Sequence, residues 1–213
     1  MNPDFAIILN FDLKTSNVDQ DYLVKEARNI GVRAIMADDS FLEACQKYSI
    51  ALLDKQAGLD LTAENVIDTI VENRIKGQAT IINLAVEADG KLADDNLKML
   101  SAINDWMHLF GHALNESEPS ELKTSYGYIL TNRHATYQKY IFVKTPLPDK
   151  LTVSGLKQAP NRVEWIADRT EAKFSYDKQE LTIDLSASNS EFAWEIIRIQ
   201  AHRPEDDLGE TKF

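Results

Sequence analysis

The chain has 213 residues, 44% apolar and 27% charged, the balance of a folded globular protein long enough for one large domain or two small ones. Its 34 acidic residues outnumber 23 basic ones, for a formal charge of −11; a surface of that sign repels phosphate backbones and anionic lipids, which argues against nucleic acid and membrane partners. The single cysteine, Cys45, excludes an intrachain disulfide, the early apolar run Phe5–Leu9 falls far short of the ~20 residues that span a bilayer, and no secretory pattern opens the chain, so the expectation is a soluble, cytoplasmic protein.

Phe5–Phe11 (FAIILNF) reads as a strand buried on both faces, because its apolar run is continuous. A helix follows over Asp19–Ile30, with Tyr22, Leu23, Ala27 and Ile30 at helical spacing and Gly31 as its stop. Next come a strand over Val32–Ala37, a short helix from Ser40 to Tyr48 opened by a Ser40–Glu43 capping box, and a strand over Ile50–Leu53. A third helix spans Thr62–Lys76, carrying Val66, Ile67, Ile70 and Val71 on one face. Strand Ala79–Val86 leads into a fourth helix, roughly Asp94–Phe110, carrying Leu97, Leu100, Ile103 and Met107, with Gly111 at its end. Four strand–helix units in succession predict a parallel sheet with right-handed crossovers.

Residues 115–125 (NESEPSELKTS) are polar, acidic and Pro-containing, and read as a linker between a domain over 1–114 and another over 126–213. Beyond them the apolar period shifts towards two. Strands are expected at Tyr126–Thr131, Tyr137–Lys144, Lys150–Val153, Arg162–Ile166, Lys173–Tyr176, Leu181–Leu185 and Phe192–Ala201, an antiparallel sandwich. The charged tail from His202 is expected to fray.

Thr80–Gly90 (TIINLAVEADG), Lys91–Leu97, Ile103–Trp106 and Gly111 resemble the last barrel strand and helix of the α-L-fucosidase family. That family's pattern is a Leu-Leu-Asn-Val-Gly-Pro strand, an Ala-Asp-Gly turn, a helix with Ile-Gly-x-Trp, then Asn-Gly-Glu-Ala-Ile. Asn83, Ala88, Asp89, Gly90, Trp106 and Gly111 match it. Ala85 and Val86 replace its Gly-Pro, Asn104 and Asp105 its Gly-x, and His112 its Glu. Glu64–Gly77 resembles the penultimate helix, Gln20–Ser40 an early barrel unit, and the β-rich half ending in Trp194–Gln200 the trailing sandwich. The family builds its barrel from eight strand–helix units, whereas four are counted here. Its nucleophile, an Asp in a Trp-x-Asp-Gly context, has no counterpart: the three tryptophans are Trp106, Trp165 and Trp194. Its His-His-Asp-Gly-Phe segment stands here as Ala37-Asp38-Asp39-Ser40-Phe41. The resemblance therefore implies a truncated, half TIM-barrel-like sheet with four strand–helix units followed by a β-sandwich, without the family's nucleophile.

Ligand sites of parallel sheets lie beyond the carboxyl ends of the strands, and these strands end at Asp12, at Asp38 and Asp39, at Asp54 and at Glu87. A pair of such carboxylates could serve glycoside hydrolysis at a separation of ~5–5.5 Å; acids before helices also cap free N–H groups, which suits Asp39 above all. Asn83 shares a strand face with Ile81 and Ala85, and as a buried amide it needs partners, for which Asp12 or Asp54 are expected. Of the four histidines, His108 and His112 are four apart, but Gly111 is expected to end the helix between them, and His134 and His202 have no partner in sequence, so no metal is expected. Cys45 reads as a buried small hydrophobe. Trp165, Trp194, Tyr126, Tyr128 and Tyr140 read as sandwich core or, alternatively, a sugar-stacking platform. No phosphate loop, nucleophile elbow or other cofactor motif is present.

The expected function is a glycosidase-related, non-catalytic protein that binds a carbohydrate or a protein partner. The alternative is a residual or repurposed α-L-fucosidase-like hydrolase using the strand-end carboxylates. A homodimer through exposed sheet edges is a third, structural expectation.

Overall fold

The alternation of apolar runs and helical patterns in the first half produces a parallel sheet in the computed structural model, which describes residues 4–186 and 192–201. The chain divides into two units, Met1–Asn115 and Glu116–Phe213. His202 and the tail after it lie outside the described residues.

In the first unit β1 (Ile7–Leu13) lies between β2 (Ala34–Met36) and β4 (Thr80–Val86), with β3 (Ala51–Leu53) outside β2, all parallel. One face buries Ile7, Leu9, Phe11, Ile35, Ile82, Leu84 and Val86. The other face is layered by register. Ile8 lies level with Ala34 and Ile81, then Asn10 with Met36 and Asn83, then Asp12 with Ala85. Ile8, Ala34 and Met36 form a small core on this second face with Ala51, Leu53 and Ile81 packed against them. The face is therefore apolar at its lower end and polar toward the carboxyl ends of its strands.

The helices are α1 (Gln20–Asn29), α2 (Leu42–Tyr48), α3 (Val66–Ile75) and α4 (Asp94–Asn115). Asp19 caps α1, its carboxylate accepting from Tyr22 N at 2.9 Å. The Ser40–Glu43 capping box does not form. A 3₁₀ turn over Asp39–Phe41 precedes α2, and the cap is Asp38, which accepts from Ser40 N at 2.9 Å. Helix α3 starts four residues later than its pattern suggests, because Asn65 Oδ1 accepts from Thr62 N at 2.9 Å and ties residues 62–65 into a turn.

Helix α4 does not stop at Gly111. Its end is held by Arg74, a residue of α3 only 3% exposed, whose Nε donates to Leu114 O at 2.8 Å and Nη2 to Asn115 O at 3.1 Å. Asn115 Nδ2 in turn donates to Gly31 O at 3.2 Å. Gly31, at a φ of +80°, stops α1 as expected. Gly111 is instead a packing glycine, since a Cβ there would lie 3.1 Å from Met107 Cε.

The second unit is a sandwich. One sheet runs β10 (Pro160–Trp165), β13 (Trp194–Ala201), β8 (Gln138–Lys144), β7 (Tyr128–Asn132), β5 (Ser117–Pro119); the other runs β11 (Phe174–Asp177), β12 (Glu180–Asp184), β9 (Lys150–Ser154), β6 (Lys123–Thr124). Ile129, Ile141, Val163 and Ile197 of the first sheet meet Leu151, Val153, Leu181 and Ile183 of the second in its core. The segment expected as a linker is not one. Its residues 117–119 pair with β7 and residues 123–124 with β9, both at sheet edges where short polar strands and Pro119 are tolerated. Among the described residues no helix is long and apolar enough to cross a membrane.

Replacing Arg74 by Met keeps much of the aliphatic volume but leaves two buried helix-end carbonyls without their donor. The expected cost is about 2–4 kcal/mol of unfolding free energy, read from urea denaturation, with faster amide exchange in the last turn of α4. An unchanged midpoint would mean that the helix end is secured by other contacts.

Candidate functional site

Residues 55–61 carry no helical or alternating pattern, and their placement decides what the polar end of the sheet becomes. After β3 the chain leaves the sheet's far edge, and Gln56 O accepts from Asn10 Nδ2 at 3.2 Å. It then reaches the free edge of β4, where Leu59 N donates to Ile81 O and Asn83 N to Leu59 O, both at 2.9 Å. Leu59 thus continues the sheet in parallel beside Ile82. One of the two edges expected to be open is met by the chain itself.

Gly58 allows that approach: a Cβ there would lie 2.3 Å from Asn83 Oδ1, 3.0 Å from its Cγ and 3.1 Å from Ile81 Cγ2. A line of side chains ties the crossing to the sheet. Asn10 Nδ2 donates to Asn83 Oδ1 at 2.8 Å, and Asn83 Nδ2 donates to Asp60 Oδ1 at 2.8 Å. Asn10 Nδ2 thereby spends both hydrogens, on Gln56 O and Asn83 Oδ1, which fixes the direction of the amide. Its Oδ1 is buried and has no hydrogen-bond partner among the described residues.

Under the crossing lies a cavity of about 600 Å³, lined by polar side chains from the strand ends (Asn10, Asp12, Asn83), from the crossing (Lys55, Gln56, Asp60) and from the first turn of α4 (Asn96), together with the apolar Ala57, Leu61 and Ala85. Asn96 Nδ2 donates to Ala85 O at 3.2 Å. The Asp12 side chain is exposed and, among the described residues, meets no hydrogen-bonding or charged partner. Phe11 contributes no open aromatic face, because it is 1% exposed and stacks on Phe41 at 5.8 Å between ring centroids. Such a wall suits a small, multiply hydroxylated molecule held by hydrogen bonds.

Of the five strand-end carboxylates singled out from sequence, only Asp12 lines this cavity. Asp38 caps the 3₁₀ turn, and the hydrogen bonds from Ser40 hold its pKa below the usual carboxylate value. Asp39 is the exposed first residue of that turn, and Asp54 is exposed where β3 ends. Glu87 is engaged by Lys14, with Nζ at 2.8 and 3.0 Å from its two oxygens, on an exposed surface. Asn83 is in the site, but its partners are Asn10 and Asp60 rather than Asp12 or Asp54. Asn10, Lys55, Gln56, Asp60 and Asn96 were missed. The signal for Asn10 was present: an amide inside an otherwise apolar strand, as Asn83 is inside its own.

The turn after β4 matches its expected form. Gly90 sits at a φ of +82°, Gly90 N donates to Glu87 O at 2.9 Å, and a Cβ on Gly90 would lie 2.7 Å from Asn17 O. His108 and His112 both lie exposed on α4, since the helix continues through Gly111. Among the described residues no group of three or more His, Cys, Asp or Glu is placed to hold a metal. His134 Nε2 lies 3.0 Å from Glu116 Oε2. Cys45 is 2% exposed, and burial pushes its thiol pKa up.

Of the five aromatics of the sandwich, Tyr140, Trp165 and Trp194 are buried, Tyr126 is half-buried and Tyr128 is 48% exposed. Trp165 belongs to the sandwich core with Tyr126 packed against it, Tyr140 is 1% exposed, and Trp194 is 3% exposed with Tyr128 tilted against it at 6.4 Å.

No protein-family model matches the sequence, and a search of curated proteins finds no match. Solved structures do match, by fold. An α-L-fucosidase from Bacteroides thetaiotaomicron, trapped as a covalent intermediate, superposes with a TM-score of 0.56 at 17% identity over 80% of this chain and 38% of its own. The Thermotoga maritima α-fucosidase gives 0.53 at 13% identity over 85% of this chain and 56% of its own. α-L-Fucosidase isoenzyme 1 from Paenibacillus thiaminolyticus gives 0.57 at 14% identity over 92% and 58%. The chain thus has part of the α-L-fucosidase fold, a parallel strand–helix sheet followed by a sandwich, and spans well under two thirds of each of these proteins.

Gly58→Ala tests the crossing. The new methyl must displace the Asn83 side chain, which loses its bonds to Asn10 and Asp60. A destabilisation of about 1–3 kcal/mol is expected, together with faster hydrogen exchange at the Leu59 and Asn83 amides. Wild-type exchange at both amides would show that the segment does not depend on close contact with β4.

Proposed function

We propose that this chain, built on part of the α-L-fucosidase fold, is a non-catalytic carbohydrate-binding protein whose ligand enters the cavity beside Asn10, Asp12, Asp60 and Asn83. The observation that carries this reading is the cavity itself. It lies toward the carboxyl ends of parallel strands, where such sheets hold ligands, and amides and carboxylates line it together with Lys55 and a few apolar side chains. Non-catalysis is supported by the sequence, which lacks the Trp-x-Asp-Gly context of the family's nucleophile. The two carboxylates that line the cavity have unequal duties. Asp60 holds Asn83 with one oxygen, while Asp12 is free to meet a ligand hydroxyl.

Asn83 acts as a clasp between β4, β1 and the crossing, and Glu87 belongs to an exposed ion pair worth at most about 1 kcal/mol. Asn83→Leu is expected to lower the thermal midpoint, because Asp60 and Asn10 each lose a partner. Asp12→Asn is expected to keep the wild-type midpoint and weaken monosaccharide binding measured by calorimetry. Glu87→Gln should change neither. No release of aryl alcohol from aryl α-L-fucosides is expected between pH 4 and 8. Turnover that disappears in Asp12→Asn would replace this reading by a repurposed glycoside hydrolase. Binding that survives Asp12→Asn unchanged would move the ligand to another site.

A further inference from the structure

We propose that a second cavity, where α1 and α4 begin, docks a basic segment of a partner protein, with one bulky apolar side chain seated inside and lysine or arginine on either side of it. Tyr22 and Leu97 belong to the helical spacings that mark α1 and α4 in the sequence, yet the fold does not bury them. They are 39% and 41% exposed, two of six large hydrophobic side chains so exposed among the described residues. Both line one cavity of about 620 Å³, with Val18 and Leu92 beside them. Its walls are fastened to each other. Gly90 packs so closely on the loop before α1 that a Cβ would lie 2.7 Å from Asn17 O. Asp19 caps α1, Asp89 Oδ1 accepts from Lys91 N at 3.1 Å, and Leu92 bridges Val86. A recess built this way needs little ordering when a partner arrives, so little affinity is lost to entropy.

Charge decides which partner fits. Asp19, Asp89 and Asp94 line the cavity against one ammonium, Lys91, which itself lies 3.9 Å from Asp89. Glu26 adds a further negative charge acting on Tyr22. The carboxylates also serve their own turns and helix starts, but they keep their charge while doing so. An apolar recess with an acidic border complements an apolar anchor flanked by cations. A second copy of this chain is a poor occupant, because its formal charge of −11 would meet a border of its own sign. No residue lines both this cavity and the one beneath residues 55–61, so the proposal stands apart from the carbohydrate reading.

The test is selection of a displayed library of random peptides against the full chain, followed by fluorescence polarisation of the enriched peptides. The expected sequences carry a leucine, isoleucine, phenylalanine or tryptophan between lysines or arginines. Their affinity should fall about tenfold or more in Leu97→Asp and in Tyr22→Ala. It should also fall with added salt and in the double variant Asp89→Asn, Asp94→Asn, and stay unchanged in Asp12→Asn. Thermal midpoints identify any variant that fails to fold, and the conservative double variant decides if Leu97→Asp is one. No enrichment, enrichment of acidic or uncharged sequences, or peptides that bind the folded variants as tightly as wild type would overturn the proposal. A wild-type dimer in sedimentation velocity that Leu97→Asp dissociates would overturn it too, by making a second copy the occupant.

Discussion

A parallel strand at the edge of a sheet exposes a row of unpaired N–H and C=O groups on its outer side, and the outer side of β4 would be such an edge if residues 55–61 took any other path. Two backbone hydrogen bonds through Leu59 meet that edge. Everything that makes the polar end of the sheet a cavity follows from this pairing. It brings Gln56 over Asn10 and Asp60 over Asn83, and it requires a glycine at position 58, where any Cβ would collide with Asn83. The Asn10–Asn83–Asp60 line is thus structural before it is functional. It holds the crossing down beside the cavity that Asp12 also lines.

The likeness to α-L-fucosidases gives this arrangement a setting. Those structures are longer, and this chain superposes on 38% to 58% of the three described above. A barrel buries the inner face of each strand against strands across its interior. With four strands, the present sheet lines the lower part of that face with Ile8, Ala34, Met36 and Ile81, and runs a segment of its own connection past the upper part. The apolar layer packs the lower part of the sheet, and the polar layer above it lines the cavity.

Much of the fold was legible because burial imposes periods. Continuous apolar runs marked the parallel strands, helical spacing the helices, and alternation the sandwich; boundaries moved by a few residues where a local hydrogen bond intervened, as at Asn65. Three readings failed, two for tertiary reasons and one for a local one. Gly111 looked like a stop, yet Arg74 satisfies the carbonyls three and four residues further on. The acidic stretch 115–125 looked like a linker, yet edge strands need little apolar character of their own. The capping box at Ser40 lost to a 3₁₀ turn capped by Asp38. The site was the least legible part. Asp60 and Gln56 sit in a segment without periodicity, and only the completed sheet puts them opposite Asn83 and Asn10. Asp12 and Asn83 were found because strand ends and in-strand amides are visible in one dimension, while Asp38 and Glu87 were drawn to nearer partners.

The central claim is that the space beneath residues 55–61 receives the ligand. Its most direct test is a nitrogen-edited NMR titration of the full chain with monosaccharides, following the side-chain amides of Asn10, Asn83 and Asn96 and the backbone amides of Asp12, Gly58 and Asp60. Saturable shifts confined to these groups are predicted, with the Tyr128 and Trp194 signals of the sandwich unmoved. Shifts centred on the sandwich, with the three amides silent, would contradict it.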